Sequence, residues 1–388
     1  MLGLIAATSI ASAASFAHAG NNDPIVVGLV MPYSGWFAPT DEGTIKGAEL
    51  AVDDINAAGG VLGRPLKIAS YDMKSEPPLG ADGAIEVISK GAKMIMVPTD
   101  FDFGGPGAFV AQSKGVPVFS GAADAKFGVG GIGSMAYSMS VASQVQGALM
   151  AEWAYKKGWK TAYLLLDNTI NYTKSLCGNF AARWKELAGA DALLGQDTFL
   201  NSDPSIATQA TRILDLQKKP DVVFLCSYPP GGASALRQLR AAGVSQPVLA
   251  GEAMDGSYWI GMVPDLSDFY VANYASFLGD DPDPQVNAFF ERLQKKIGRS
   301  PDISYSVRGY AMIQAFAHAV ERAKSTDGAK VAAALDKFDK EPLLIGPTSF
   351  TSKLHIALTR PMTIMAVERG KLHVVEKFAV KQVPPVQY

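Results

Sequence analysis

Residues 47–72 read "GAELAVDDINAAGGVLGRPLKIASYD", and a helical and a strand pattern meet in them. With the residues just upstream, Ile45, Ala48, Val52 and Ile55 form one apolar stripe, while Lys46, Glu49 and Asp53 share another face. The spacing predicts an amphipathic helix over 44–60. Gly59 and Gly60 end it, because glycine takes the left-handed conformation after a helix at little cost. The run "LKIASYD" (66–72) then has the length and character of a strand. Asp53 and Asp54 are adjacent carboxylates, but neighbouring helix positions point about 100° apart and cannot converge on one substrate atom. They are read as a solvated face.

Outward from this stretch the alternation continues. Apolar runs at 25–31, 94–98, 116–120, 162–167, 221–227, 247–251 and 269–274 read as further strands. Helical patterns at 106–115, 144–158, 173–189 and 207–219 fall between them. Short continuous apolar strands separated by amphipathic helices mean parallel sheets covered on both faces, an α/β fold. A chain of 388 residues is too long for one comfortable core, and the units suffice for two sheets.

Apolar residues make up 48% of the chain, enough for large cores, and the net charge of −2 offers no footprint for nucleic acid. The four histidines are scattered and form no metal-ligand spacing. The N-terminal stretch is apolar and rich in small residues, and Ala17-His18-Ala19 fits a signal-peptidase site. A signal peptide over 1–19, cleaved before Gly20, is expected, although no Lys or Arg precedes the apolar stretch. No cysteine stands at that point, so a lipid anchor is not expected. The mature chain should be exported to the periplasm. There Cys177, on the buried stripe of a helix, and Cys226, ending a strand, form either a disulfide or two inert buried thiols.

Several motifs are excluded. "GVGGIG" (128–133) matches the dinucleotide fingerprint by letter, but a loop precedes it and a strand-like "SMAYSMS" follows, where the fingerprint needs strand then helix. No nucleophile elbow, zinc-protease motif or P-loop is present, so neither catalysis nor a cofactor is expected. "DDPDPQ" (280–285) lacks calcium-loop spacing and is read as a solvated loop. "PTDFDFGG" (98–105) breaks an apolar strand into two aspartates and two phenylalanines, the one unusual feature at a strand's carboxyl end.

At "MPYSGWFA" (31–38), at 47–72 and at "LRQLRAAGV" (236–244), the chain resembles the branched-chain-amino-acid type of periplasmic substrate-binding proteins, which serve ABC importers. The resemblance runs from about Pro24 to the C-terminus. It implies a type I periplasmic binding fold: two doubly wound lobes joined by three crossing strands, with a small molecule captured between them by hinge closure. The crossings are expected near Ser140, at 274–277 and between Gly346 and Leu358. Lobe one would comprise 20–140 and 278–350, lobe two 141–277 and 351–388. The implied partners are a small-molecule ligand and, transiently, a permease and ATPase complex, with the receptor itself a monomer. The same fold also serves ligand-sensing modules.

Carried over position by position, the resemblance implies ligand contacts at Trp36 and Phe37 after the first strand. It also implies contacts at 99–103, with Phe101 and Asp102, and at Ala122, Ala123 and Asp124. Lobe two would supply Tyr172, Tyr228 and the acidic Glu252, which in relatives pairs with a ligand ammonium. The alternative readings are rim aromatics for Tyr172 and Tyr228, and caps for Asp124 and Glu252. Where relatives offer hydroxyls to a carboxylate, this chain offers Phe101, Asp102 and Asp124. An ionised ligand carboxylate facing those aspartates would be repelled. Two ligand classes fit: a larger apolar or aromatic compound, with Trp259 as a further stacking candidate, or an amine, amide or hydroxylated compound donating to Asp102, Asp124 and Glu252.

Overall fold

The computed structural model describes residues 23–386 and 388; the expected signal peptide and its cleavage point lie outside these residues. The strands are β1 (Ile25–Met31), β2 (Leu66–Asp72), β3 (Met94–Met96), β4 (Val118–Ser120), β5 (Ala136–Ser138), β6 (Ala162–Asp167), β7 (Leu193–Phe199), β8 (Val222–Cys226), β9 (Val248–Ala250), β10 (Phe269–Asn273), β11 (Glu341–Leu343), β12 (Gly346–Thr348), β13 (Met362–Glu368) and β14 (Lys371–Phe378). The helices are α1 (Ala38–Ala57), α2 (Pro77–Ser89), α3 (Phe101–Ser113), α4 (Ser143–Lys156), α5 (Asn171–Ala188), α6 (Ala207–Asp215), α7 (Gly231–Ala242), α8 (Pro284–Ile297), α9 (Tyr305–Ala323) and α10 (Gly328–Leu335).

The first sheet has the order β2-β1-β3-β4-β5 and is parallel throughout. In the second, β14-β13-β10-β9-β8-β6-β7, the last five strands are parallel and β13 and β14 run antiparallel. Two antiparallel strands thus finish a sheet expected to be parallel throughout. The chain leaves the first sheet after β5, builds the second through β10, and enters it again at β13 after the β11–β12 hairpin. Val141 and Ala357, on the segments that follow β5 and β12, form an isolated parallel bridge. Between β10 and β11 the chain supplies α8, α9 and α10 to the first lobe.

Local chemistry explains the boundaries. α1 ends where the sequence predicts, with Gly59 and Gly60 at φ of 103° and 79° and the Gly60 amide donating back to Ile55 at 2.8 Å. α1 packs on α9 so closely that a Cβ at Gly47 would lie 1.9 Å from the Ser306 carbonyl oxygen, and one at Gly309 1.9 Å from that of Thr44. Asp53 and Asp54 are not simply solvated: they pair with Lys296 and Arg292 of α8, and Tyr310 donates to Asp54 at 3.0 Å. "DDPDPQ" is likewise more than a solvated loop. Asp283 caps α8 by accepting from the Gln285 amide at 2.9 Å, and buried Asp281 accepts from Ser276 at 2.8 Å. Cys177 of α5 and Cys226 of β8 form a disulfide, which settles their pairing. The "GVGGIG" segment is a run of turns leading into β5, the wrong setting for a nucleotide.

Candidate ligand-binding cleft

A cleft, open to solvent at its mouth, lies between the carboxyl ends of the two sheets. Its lobe-one wall comes from the β1–α1 turn (Trp36, Phe37, Thr40), the β3–α3 turn (Thr99, Asp100, Phe103) and Ala123 after β4. Lobe two contributes Ile170 and Tyr172 at the start of α5, Tyr228 before α7, and Glu252 and Ala253 after β9. Tyr305 enters from the N-terminus of α9. Such a site follows from the architecture, since all these turns leave strands at one end of a sheet.

Six of the ten positions expected from sequence are on this wall: Trp36, Phe37, Ala123, Tyr172, Tyr228 and Glu252. The structure does not bring Phe101, Asp102, Ala122 and Asp124 to it. The reason lies in "PTDFDFGG", which is a helix start rather than an irregular loop. Asp100 is the N-cap of α3 and accepts from the Asp102 amide at 2.8 Å. This turns Asp100 and Phe103 toward the cleft and packs Phe101 against the lobe-one core. Asp102 reaches across to lobe two, accepting from the backbone N–H and the side-chain amide of Asn171 at 3.3 and 3.1 Å. Ala122 is fully buried behind the wall, its N–H donating to Ser120 Oγ at 2.9 Å. Asp124 caps a turn by accepting from the Lys126 amide at 2.9 Å. Trp259 is packed inside lobe two against Phe269, away from the cleft.

The aromatic wall is continuous. The Trp36 ring stands 5.2 Å from Phe37, 5.4 Å from Phe103 and 6.1 Å from Tyr228, so the rings meet from both lobes. Tyr172 donates to Gln146 Oε1 at 3.0 Å and accepts from the Ala253 amide at 3.3 Å, which fixes its ring in place.

Behind the wall lies a residue that sequence reading missed. Arg308 of α9 is fully buried, and its guanidinium lies 3.7 Å over the Tyr305 ring. It meets Glu252 at 3.4 Å, and donates to the Gly121 carbonyl at 3.2 Å and to Thr99 Oγ1 at 2.7 Å. A Cβ at Gly121 would lie 2.2 Å from Cζ of Arg308, so any side chain there would displace the guanidinium. Thr99 in turn donates its N–H, at 3.1 Å, and its hydroxyl to the buried carboxylate of Asp41.

Burial pushes Asp41 up to about 6, against the lowering effect of Thr99 and Arg308. It pushes Asp100 up to about 7, with the charge of Asp102 adding to the rise. Glu252 is also raised by burial, with Arg308 opposing. The arrangement can hold a small molecule between stacked rings above a buried acidic floor. Among the described residues no cluster fits a metal ion.

A family model described as periplasmic binding protein matches residues 24–371. This chain belongs to that family. Among its relatives, the periplasmic binding protein is 26% identical over 348 residues to the Leu/Ile/Val-binding protein BraC3 of Rhizobium johnstonii, spanning 89% of this chain and 92% of that one. Its fold matches a branched-chain amino acid transporter substrate-binding protein of Streptococcus pneumoniae in complex with isoleucine. The TM-score is 0.80 at 21% identity, covering 91% of this chain and 99% of the other. It also matches a solute-binding protein of Rhodopseudomonas palustris in complex with benzoate, with a TM-score of 0.77 at 19% identity, covering 94% and 98%.

Proposed function

We propose that this protein is the periplasmic receptor of an ABC importer, and that its solute is a small molecule with an aromatic or apolar body rather than a plain aliphatic amino acid. The moving bodies in this reading are residues up to 140 with 278–350, and 141–277 with 351–388; they hinge at the three crossings and close on the solute. One observation carries the reading: six aromatic side chains, Trp36, Phe37, Phe103, Tyr172, Tyr228 and Tyr305, line the cleft. The ligand-touching residues proposed are the six sequence-derived wall positions together with Thr40, Asp100, Phe103 and Tyr305.

The benzoate complex of the Rhodopseudomonas palustris protein supports the idea that this fold accepts a single ring. Against an aliphatic amino acid stands Glu252, the acid expected to meet the ammonium, which already faces Arg308. A thermal-shift screen of amino acids, aromatic acids and aromatic amines tests the reading. A solute at a hundred times its dissociation constant adds about 2.7 kcal/mol of stability. Stabilisation by leucine, isoleucine or valine, with none by any aromatic compound, would sink it.

A further inference from the structure

Several donors that could hold a ligand carboxylate are already committed inside the protein. On the lobe-one wall, the Thr99 N–H and hydroxyl both donate to Asp41. The Asp102 amide, an N-terminal donor of α3, is taken by the Asp100 side chain at 2.8 Å. The Ala122 amide is taken by Ser120 Oγ. A helix N-terminus ordinarily favours an anion; here Asp100 is that anion, and it belongs to the chain. Behind the cleft the buried guanidinium of Arg308 is divided among Glu252, Gly121 and Thr99. A ligand carboxylate would have to displace these partners and then face the Asp100 carboxyl group across an apolar gap.

The charge balance has the opposite sign from one that would welcome an acid. Asp41, Asp100 and Glu252 lie at or just behind the wall against a single arginine, and Asp102 and Asp124 add negative potential at Asp100. The rings add to this, because the faces of Trp, Tyr and Phe attract cations. Asp100 sits at the wall beside Phe103, whose ring lies 5.4 Å from Trp36 and 5.1 Å from Phe37. A positively charged nitrogen placed there finds a carboxylate and aromatic faces together, and a charge-assisted hydrogen bond to Asp100 outweighs a neutral one.

We propose that the solute is an organic cation without a carboxylate, an arylalkylamine whose ammonium meets Asp100 while its ring lies among Trp36, Phe103 and Tyr228. The proposal rests on the receptor reading above and narrows it. Asp100 then selects the ligand by charge, and the β3–α3 turn contacts an ammonium instead of a carboxylate.

The test uses the intact protein with 2-phenylethylamine, benzoate and leucine as probes, read by calorimetry and thermal shift, beside Asp100→Asn. Asparagine caps a helix about as well as aspartate, so this variant removes the charge and leaves the α3 start in place. The expected result is amine binding that weakens by roughly tenfold or more in Asp100→Asn, about 1.4 kcal/mol per tenfold, with a ligand-free melting temperature no lower than that of the wild type. Equal amine binding by both proteins overturns the role of Asp100. No amine binding at millimolar concentration overturns the proposal, whatever else binds. Benzoate binding without amine binding does so too, yet leaves the aromatic-solute receptor intact; leucine binding alone removes both.

Discussion

Helix α5 opens the lobe-two side of the cleft without a cap of its own. Its N-cap residue is Ile170, extended and with no side-chain oxygen, so the first amides of the helix lack a partner from their own turn. The partner comes from the other lobe: Asp102, in the first turn of α3, accepts from the Asn171 backbone N–H at 3.3 Å and from its side-chain amide at 3.1 Å. In the closing motion proposed above, lobe closure and capping of α5 are one event. Losing a cap costs about 1 kcal/mol. The side-chain bond is half exposed and adds only a fraction of that. Asp102→Ala should therefore shift the closed-to-open balance by roughly fivefold toward open, the factor that corresponds to about 1 kcal/mol. Because affinity here depends on the closed population, ligand dissociation should quicken by about the same factor while association changes little. Stopped-flow fluorescence of Trp36, half exposed at the mouth, reads the rate, and small-angle scattering of the ligand-free protein reads the balance. Asn171→Ala removes only the side-chain bond and should fall between the wild type and Asp102→Ala. Wild-type release rates and an unchanged scattering profile in Asp102→Ala would refute the coupling of capping to closure.

Three further outcomes are expected. The disulfide closes a loop with a sequence separation of 49, for which loop entropy gives about 4 kcal/mol; Cys177→Ala/Cys226→Ala, or reduction, should lower the melting temperature by several degrees without changing ligand choice. Asp41, Asp100 and Asp255 have folded-state values raised to about 6, about 7 and about 7. Their stabilisation is therefore full below about pH 4 and lost as pH rises through 6 to 7. His355, lowered by burial, opposes with a single proton. Ligand-free melting temperature should therefore fall from pH 5.5 to pH 8, and a flat or rising profile contradicts the burial of these acids. Arg308→Met should destabilise by about 3–5 kcal/mol, because it strands buried carboxylates. Adding Glu252→Gln should recover part of that loss in denaturant titrations, and strict additivity of the two would show that the pair is not coupled.

The fold was legible because its signals are local. β1, β2 and β6 fall where the apolar runs place them, and α1 stops at its glycine pair. β7 escaped notice because it is an edge strand whose sequence, "LLGQDTF", carries a glycine and half-exposed positions instead of a continuous apolar run. The helix expected over 106–115 begins earlier, at Phe101, and "PTDFDFGG" hid its start because Gly104 and Gly105 read as breakers. Asp100 directly before the helical stretch was the capping signal that could have revealed it. Arg308 was legible too, on a different criterion. It occupies a stripe with Tyr305, Met312 and Phe316, all buried, and a lone charge on an apolar helical stripe has to find a buried partner. Which partner it finds depends on two segments, around Gly121 and Glu252, that only the tertiary fold brings to it.

The acids around the cleft tie stability to selectivity. Asp41 and Asp255 are sealed inside, Glu252 is almost so, and Asp100 stands at the wall, with Arg308 the one guanidinium meeting Glu252 among them. Burying carboxylates in excess of cations costs folding energy, and the raised values of Asp41, Asp100 and Asp255 express that cost. A cationic solute that enters supplies the missing countercharge and relieves part of the cost, so electrostatic relief adds to ring stacking in its affinity. An anionic solute of the same size would gain the stacking and increase the electrostatic cost. Binding the cation should also release a proton from the fraction of Asp100 that is protonated near neutral pH, so its affinity rises as pH passes through about 7. In Asp100→Asn that dependence has no source, which separates a direct contact at Asp100 from a general effect of the acidic floor.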